Sequence, residues 1–184
     1  MISIASLWLP IVVSAVLVFV ASSVLHMVLK FHQKEYRELP NEDEALETLH
    51  RADLTPGTYV FPHCLPADMQ NSDVVEKYKR GPVGILNVLP SGPPSMGKFL
   101  VQWFVYCLVV GAFIAYIAGR THGAGTSYLA IFRFVGTIAF MTYGLSETVS
   151  SIWKGAPWSA TAKFMIDGLI YALLTAGVFG WLWP

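Results

Sequence analysis

The chain has 184 residues, of which 54% are hydrophobic and only 13% charged, and its mean hydropathy is +0.53. These values exclude an ordinary water-soluble domain and predict an integral membrane protein. The formal net charge is zero, but 8 of the 12 basic and 10 of the 12 acidic residues lie between Lys30 and Lys98. Because acidic and basic residues alternate there, the segment does not indicate a nucleic-acid-binding surface.

The first apolar stretch covers residues 2–29 and exceeds the roughly 20 residues that cross a hydrocarbon core. Positive charge follows this stretch at Lys30 and Lys34 rather than preceding it. A cleaved secretory signal has the opposite order. We therefore predict a retained first transmembrane helix over residues 1–30.

Residues 31–98 form the one polar region and predict a small α+β insertion with a linker. Asn41, followed by three acidic residues, has the pattern of a helix N-cap. We predict, in order, a helix over 42–52, a turn over 54–57, a strand over 58–61, a helix over 73–80 and a strand over 83–89. The two strands could pair through a parallel crossover or in another way. The unit is too small to bury much of a core alone.

Three further apolar segments, 99–118, 128–145 and 163–184, predict transmembrane helices 2–4 within residues 99–184. Since Lys and Arg concentrate in the insertion, the positive-inside rule places it in the cytoplasm and both termini outside. The predicted fold class is therefore mainly α: a polytopic four-helix transmembrane bundle with a small cytoplasmic α+β insertion between helices 1 and 2.

Small residues recur at a spacing of four on two of these spans. Such rows form grooves that let helix backbones approach closely. They predict packing inside the bundle in preference to a dimerisation face. We expect the fourth helix to lie against the second. The residues are Cys107, Gly111, Ala115 and Gly119 on the second span, and Gly168, Ala172, Ala176 and Gly180 on the fourth.

A polar layer is predicted near the cytoplasmic ends of the spans. His26, Gln102 and Asp167 each lie one turn inside a flanking lysine, and Glu147 lies near the end of the third span. If these side chains face one another, they could relay protons, hold a metal or bind a quinone-like head group. Alternatively they reach headgroup water, with Asp167 neutralised by Lys163.

A metal site is not predicted, because a third good ligand is lacking. His26 and His32 are six residues apart and would not share one face of a continuous helix. His32, His63 and Cys64 have no metal-binding spacing and are interpreted as solvated loop residues. Cys64 and Cys107 lie in different environments, so no disulfide is expected.

Arg133 is the deepest fixed positive charge in the predicted spans. A guanidinium at this depth either snorkels to the interface as a structural anchor or contacts a lipid phosphate or another anion. No nucleophile elbow, phosphate-binding loop or zinc-protease motif is present. We therefore assign no catalytic residues and no cofactor.

Four blocks carry a resemblance to an uncharacterised family of bacterial inner-membrane proteins with four predicted transmembrane helices and no assigned activity. The blocks are SSVLHMVLKFHQKEYRELPNEDE (22–44), GKFLVQWFVYCLVVGAFIAYIAGR (97–120), YLAIFRFVGTIAF (128–140) and DGLIYALLTAGVFGWLWP (167–184). The resemblance implies a location in the bacterial inner membrane and supplies no site residues.

Two functions follow as expectations. The first is a non-enzymatic accessory or scaffold subunit that docks a larger membrane assembly or self-associates, with the lipid bilayer and a membrane protein or second copy as partners. The second is a proton, metal or quinone site in the inner leaflet of a redox or transport protein.

Overall fold

A computed structural model describes residues 1–29 and 31–184 of the chain. The predicted domain boundary at Lys30 lies outside the described residues. The chain divides into two compact units, a helical unit of Met1–Tyr36 with Ser95–Pro184, and a unit of Arg37–Pro94. The segment 31–36 thus belongs to the helical unit rather than to the insertion.

The structure is mainly helical, with one small sheet. A 3₁₀ turn over Ile4–Leu7 precedes the first helix, and a π-helical turn over Val24–Val28 follows it. In chain order the elements are α1 (Trp8–Ser23), α2 (Glu42–Arg51), β1 (Gly57–Phe61), α3 (Ser72–Arg80), β2 (Gly84–Val88), α4 (Met96–Thr121), α5 (Tyr128–Tyr143), α6 (Thr148–Lys154) and α7 (Trp158–Trp181).

Four helical stretches within the described residues are long and apolar enough to cross a membrane: Ile4–Val28, Met96–Thr121, Tyr128–Lys154 and Trp158–Trp181. This confirms the predicted number of candidate spans. The third stretch is broken near Gly144, where α5 ends and a 3₁₀ turn over Leu145–Glu147 leads into α6. The fourth begins at Trp158, several residues before the predicted start at Lys163.

Helix α7 packs most extensively against α5, with backbones in close contact. Gly168 lies against the backbone of Gly144, where any side chain would collide with main-chain atoms. Further along, Ala176 faces Gly136. The small-residue row of α7 is therefore used by the third span, because only residues without bulk permit this approach.

The small-residue row of α4 packs against the first span. Gly111 lies against Ile11, and the Ile2 amide donates a hydrogen bond of 2.8 Å to the Gly119 carbonyl oxygen. Helix α7 also packs against α1, whereas α4 and α7 share no extensive interface among the described residues. The predicted pairing of the second and fourth helices is wrong, because each row has a partner on another helix.

The Arg37–Pro94 unit is built around a two-stranded antiparallel sheet. Gly57 pairs with Val88, and Phe61 with Gly84, so the parallel crossover alternative is wrong. The Phe61 ring covers Gly84, and a side chain at this position would have to displace the ring. Asn41 precedes α2 as predicted, but its φ of 52° lies in the left-handed region and its side chain makes no capping bond.

Candidate functional site

The site centres on Asp167, a carboxylate in α7 that is only 2% exposed. The His32 Nε2 atom lies 2.6 Å from Asp167 Oδ2, and the His26 Nε2 atom lies 3.4 Å from the same oxygen. The two imidazole rings stack with centroids 4.5 Å apart. Two histidines from one end of the first span thus converge on one carboxylate of the fourth.

The end of the first span explains how both histidines reach Asp167. After Ser23 the helix widens into the π-helical turn, where the Leu29 amide donates to the Val24 carbonyl. The regular helix ends before His32, so the angular spacing of a continuous helix does not apply to this pair. The interpretation of His32 as a solvated residue is wrong, since it is 6% exposed.

Lys163 and Phe164 hold the 31–35 segment against the start of α7. Lys163 forms an ion pair with Glu35, and its Nζ lies 5.1 Å from the centroid of the Phe31 ring. The Phe164 ring stacks on His32 at 4.6 Å. Lys163 is therefore engaged by Glu35, and the suggestion that it neutralises Asp167 is not supported by its contacts.

The three side chains present a set of atoms suited to a metal ion. One ligand atom each from His26, His32 and Asp167 lies within 4.8 Å of the others. Ligand atoms on a tetrahedral zinc ion at ~2.1 Å lie about 3.4 Å apart, so small side-chain shifts are needed, and His32 Nε2 and Asp167 Oδ2, now at 2.6 Å, would have to separate. Imidazole nitrogens with a carboxylate suit zinc and non-haem iron, and three protein ligands leave a position open.

A cavity of about 380 Å³ adjoins this cluster. His26, Glu147 and Asp167 line it, and all three belong to the predicted polar layer. Gln102, the fourth predicted member, is exposed on α4 and lies outside the lining. The structure therefore brings three of the four residues to one place.

Three buried polar atoms in this region have no hydrogen-bond partner among the described residues: His32 Nδ1, Asp167 Oδ1 and the Tyr171 hydroxyl. A buried polar group without a partner costs about 1–3 kcal/mol. Such groups concentrate where a protein receives a ligand, an ion or an ordered water. Because these atoms lie at the cavity and the histidine cluster, we take the region of α7 around Asp167 and Tyr171 as the candidate site.

The other predicted positions lie elsewhere. Arg133 is exposed on α5, and the Thr137 hydroxyl donates to the Arg133 carbonyl oxygen at 2.8 Å, so Thr137 is not bonded to the guanidinium. A lipid or anion contact of Arg133 stays a prediction. In the other unit, Cys64 contacts Met69 and Tyr78, and His63 is exposed.

All eight residues of the two small-residue rows are buried or partly buried inside the helical unit. Gly180, the most open, is half-buried beside the Tyr128 ring. Packing within one chain thus accounts for both rows. A docking partner or second copy would need a different surface.

Comparison with known protein families, curated proteins and solved structures found no match for this chain. The family resemblance of the four sequence blocks therefore stays a prediction. Sequence reasoning also missed Tyr171 and His32 as members of the site. Tyr171 follows Asp167 by four residues, and this spacing places both on one helix face, so its signal was present in the sequence.

Proposed function

We propose that this chain is a multi-pass membrane protein that holds a divalent first-row transition-metal ion at His26, His32 and Asp167. The observation that carries the proposal is the convergence of two imidazole nitrogens and one carboxylate oxygen within 4.8 Å of one another. This donor set matches the two-histidine, one-carboxylate sites that bind such ions and keep a position open for a ligand.

Charge favours a cation at this place. Asp167 is almost fully buried, and Glu147 on the same cavity is half-buried. A carboxylate in an apolar environment needs a compensating charge. The one lysine of the α7 start that could supply it is paired with Glu35. A divalent ion would balance both carboxylates and leave the two histidines neutral, as metal ligation requires.

The distribution of basic residues suggests how the chain is oriented across the membrane. With the basic residues concentrated between Lys30 and Lys98, the positive-inside rule favours a cytoplasmic Arg37–Pro94 unit and both termini outside. The metal site then lies in the inner leaflet, at the cytoplasmic end of the first span and about 14 Å along the fourth from Trp158. The family resemblance favours the bacterial inner membrane.

A metal centre is compatible with an accessory subunit or with a redox or transport protein. Docking through the small-residue rows receives less support, because both rows are covered within the chain. The site geometry therefore favours the second of the two functions expected from the sequence.

The experiment is metal titration of the purified full chain in detergent after chelator treatment. Co²⁺ absorption reports the ligand field, and Zn²⁺ competition gives the affinity. We expect one site per chain, and we expect His32→Ala and Asp167→Asn each to lower affinity by more than the ~10–100-fold typical of outer-shell substitutions.

His63→Ala is the matched control, because His63 is exposed in the other unit; this variant should bind as the wild type does. Circular dichroism and thermal unfolding verify that each variant is folded. Absence of a saturable site in the wild type, or wild-type affinity in both site variants, would show that the proposal is wrong.

A further inference from the structure

The cavity beside Asp167 is lined by both aromatic and polar residues. The lining includes Phe99, Trp103 and Phe164, and also Asp167 and Tyr171, each of which has a buried polar atom without a partner among the described residues. Its volume of about 380 Å³ falls in the ~300–1,000 Å³ range of small-molecule sites. An apolar pocket with a few converging polar groups is the usual form of a binding site for a small organic ligand.

The Tyr171 hydroxyl indicates that the ligand provides a hydrogen-bond acceptor. Its side chain is 4% exposed and lines the cavity, and its hydroxyl has no hydrogen-bond partner among the described residues. The rings of Tyr143 and Trp103 pack against it at 5.8 Å and 6.0 Å. A phenol held in this way can donate to an acceptor in the cavity, such as a carbonyl oxygen.

The open side of the cavity indicates that the ligand has an apolar tail. Met27, Met96 and Phe99 line this side and are 63%, 58% and 48% exposed. All three lie in candidate membrane spans, so a tail leaving the cavity would run along apolar side chains.

The charge of the cavity lining distinguishes between ligands with anionic and with neutral head groups. Among the described residues, the cavity lining contains two carboxylates, Asp167 and Glu147, and neither lysine nor arginine. In the metal-free protein, the carboxylate of a fatty acid or the phosphate of a phospholipid would be repelled there. A neutral carbonyl head group fits this environment better, and the aromatic wall favours a planar one.

We infer that this cavity binds the head group of a quinone-type lipid, with a ring carbonyl accepting a hydrogen bond from the Tyr171 hydroxyl. The inference goes beyond the metal proposal, because the Tyr171 contact and the apolar wall do not require a bound ion.

The test is binding of decylubiquinone to the purified full chain in nanodiscs, measured by calorimetry with both chelator-treated and Zn²⁺-loaded protein. We expect saturable binding that Tyr171→Phe weakens by about 5- to 10-fold, the loss of one hydrogen bond. Since the Tyr171 hydroxyl has no partner among the described residues, the variant should keep its fold. Tyr116→Phe, at an exposed position of α4, is the matched control and should bind as the wild type does.

Two further ligands separate head-group recognition from tail partitioning. Oleate and dodecane carry apolar tails without a neutral carbonyl ring, and we expect neither to compete for the chelator-treated protein. The inference is wrong if decylubiquinone does not bind, if Tyr171→Phe binds it as tightly as the wild type, or if dodecane competes equally. Quinone binding without Zn²⁺ binding would contradict the metal proposal alone, and the reverse would contradict this inference alone.

Discussion

Two parts of α7 use the same packing device but differ in how their polar groups are satisfied. Just beyond its C-terminal end, the Trp183 indole donates to the Gly123 carbonyl at 2.9 Å, and the Gly125 amide donates to the Pro184 carbonyl at 2.7 Å. In the middle of the helix, Asp167 and Tyr171 each keep a buried polar atom without a partner among the described residues. The C-terminal end is closed by satisfied hydrogen bonds, whereas the Asp167 region retains polar atoms that make none.

Glycine contacts stabilise both regions, so packing alone does not explain the difference. Gly168 meets the backbone of Gly144, and Gly180 meets the ring of Tyr128. Natural proteins usually satisfy buried polar groups, and they tolerate exceptions mainly at functional sites. The comparison therefore separates helix association, which both regions provide, from ligand binding, which we assign to the Asp167 region.

The largest effect is expected for Gly168→Ala. The added methyl would meet backbone atoms of Gly144 and Tyr143, which cannot move without separating the helices. Overpacking usually costs about 1–3 kcal/mol, and a collision with fixed backbone atoms should exceed about 3 kcal/mol. The free energy of unfolding can be measured by SDS titration in mixed micelles.

Gly177→Ala is the control on the same helix. Its nearest neighbour would be the Tyr128 hydroxyl at 3.9 Å, an ordinary van der Waals contact. Alanine in a helix interior is favoured over glycine by about 1 kcal/mol, so this variant should be slightly more stable. Equal stabilities of the two variants would contradict the assigned α5–α7 contact.

An intermediate effect is expected for Ser22→Ala, a change in the lining of the cavity beside Asp167. The Ser22 hydroxyl accepts a hydrogen bond of 2.8 Å from the Trp103 indole, and Ser22 is 7% exposed. Losing this acceptor leaves the N–H group of the partly buried Trp103 unpaired, so the free energy of unfolding should fall by about 1–3 kcal/mol.

Ser23→Ala isolates this contact. Ser23 also lines the cavity, but its hydroxyl donates only to the Phe19 carbonyl within the same helix. We expect a change of less than about 0.5 kcal/mol, as for substitutions that break no special interaction. If both serine variants lose the same stability in SDS titration, the Trp103 contact does not stabilise the bundle.

The smallest effect is expected for Gly180→Ala. The new methyl would come within 2.8 Å of the Tyr128 ring and 3.2 Å of the Tyr128 carbonyl oxygen. Tyr128 is 50% exposed, so its ring can turn aside, and the backbone must shift only by a few tenths of an ångström. We expect a loss of about 1 kcal/mol, at the low end for overpacking, with unchanged Co²⁺ binding. A loss as large as that of Gly168→Ala would remove the proposed difference between the two regions.

The sequence predicted the spans well and the helix pairing poorly. Length and hydropathy locate apolar helices directly, and the four candidate spans were found in this way. A spacing of four small residues marks a face that can be approached closely, but it does not say by which helix. Gly111 and Gly168 carry the same signal, yet one meets Ile11 and the other Gly144.

The sequence predicted the part of the candidate site that depends on depth in the membrane. It did not predict the part that depends on where the chain leaves the first helix. Counting residues from flanking lysines placed His26 and Asp167 at one depth, and the two are adjacent in the structure. The angular spacing of six residues separated His26 from His32, because it assumed a continuous helix, whereas the chain passes through a π-helical turn over Val24–Val28 and leaves the helix before His32. The pairing of Lys163 with Glu35 depends on this return of the chain and has no local sequence signal.

The adjacency of Asp167 and Gly168 has a thermodynamic consequence. The residue that makes the tightest backbone contact between α5 and α7 stands next to the carboxylate at the centre of the site. This contact fixes the position of α7 along its axis and therefore the position of the Asp167 carboxylate. The entropic cost of positioning the carboxylate is thus part of the free energy of folding. A preorganised ligand of this kind loses little further freedom on binding, so association at Asp167 should proceed with little rearrangement of α5 and α7.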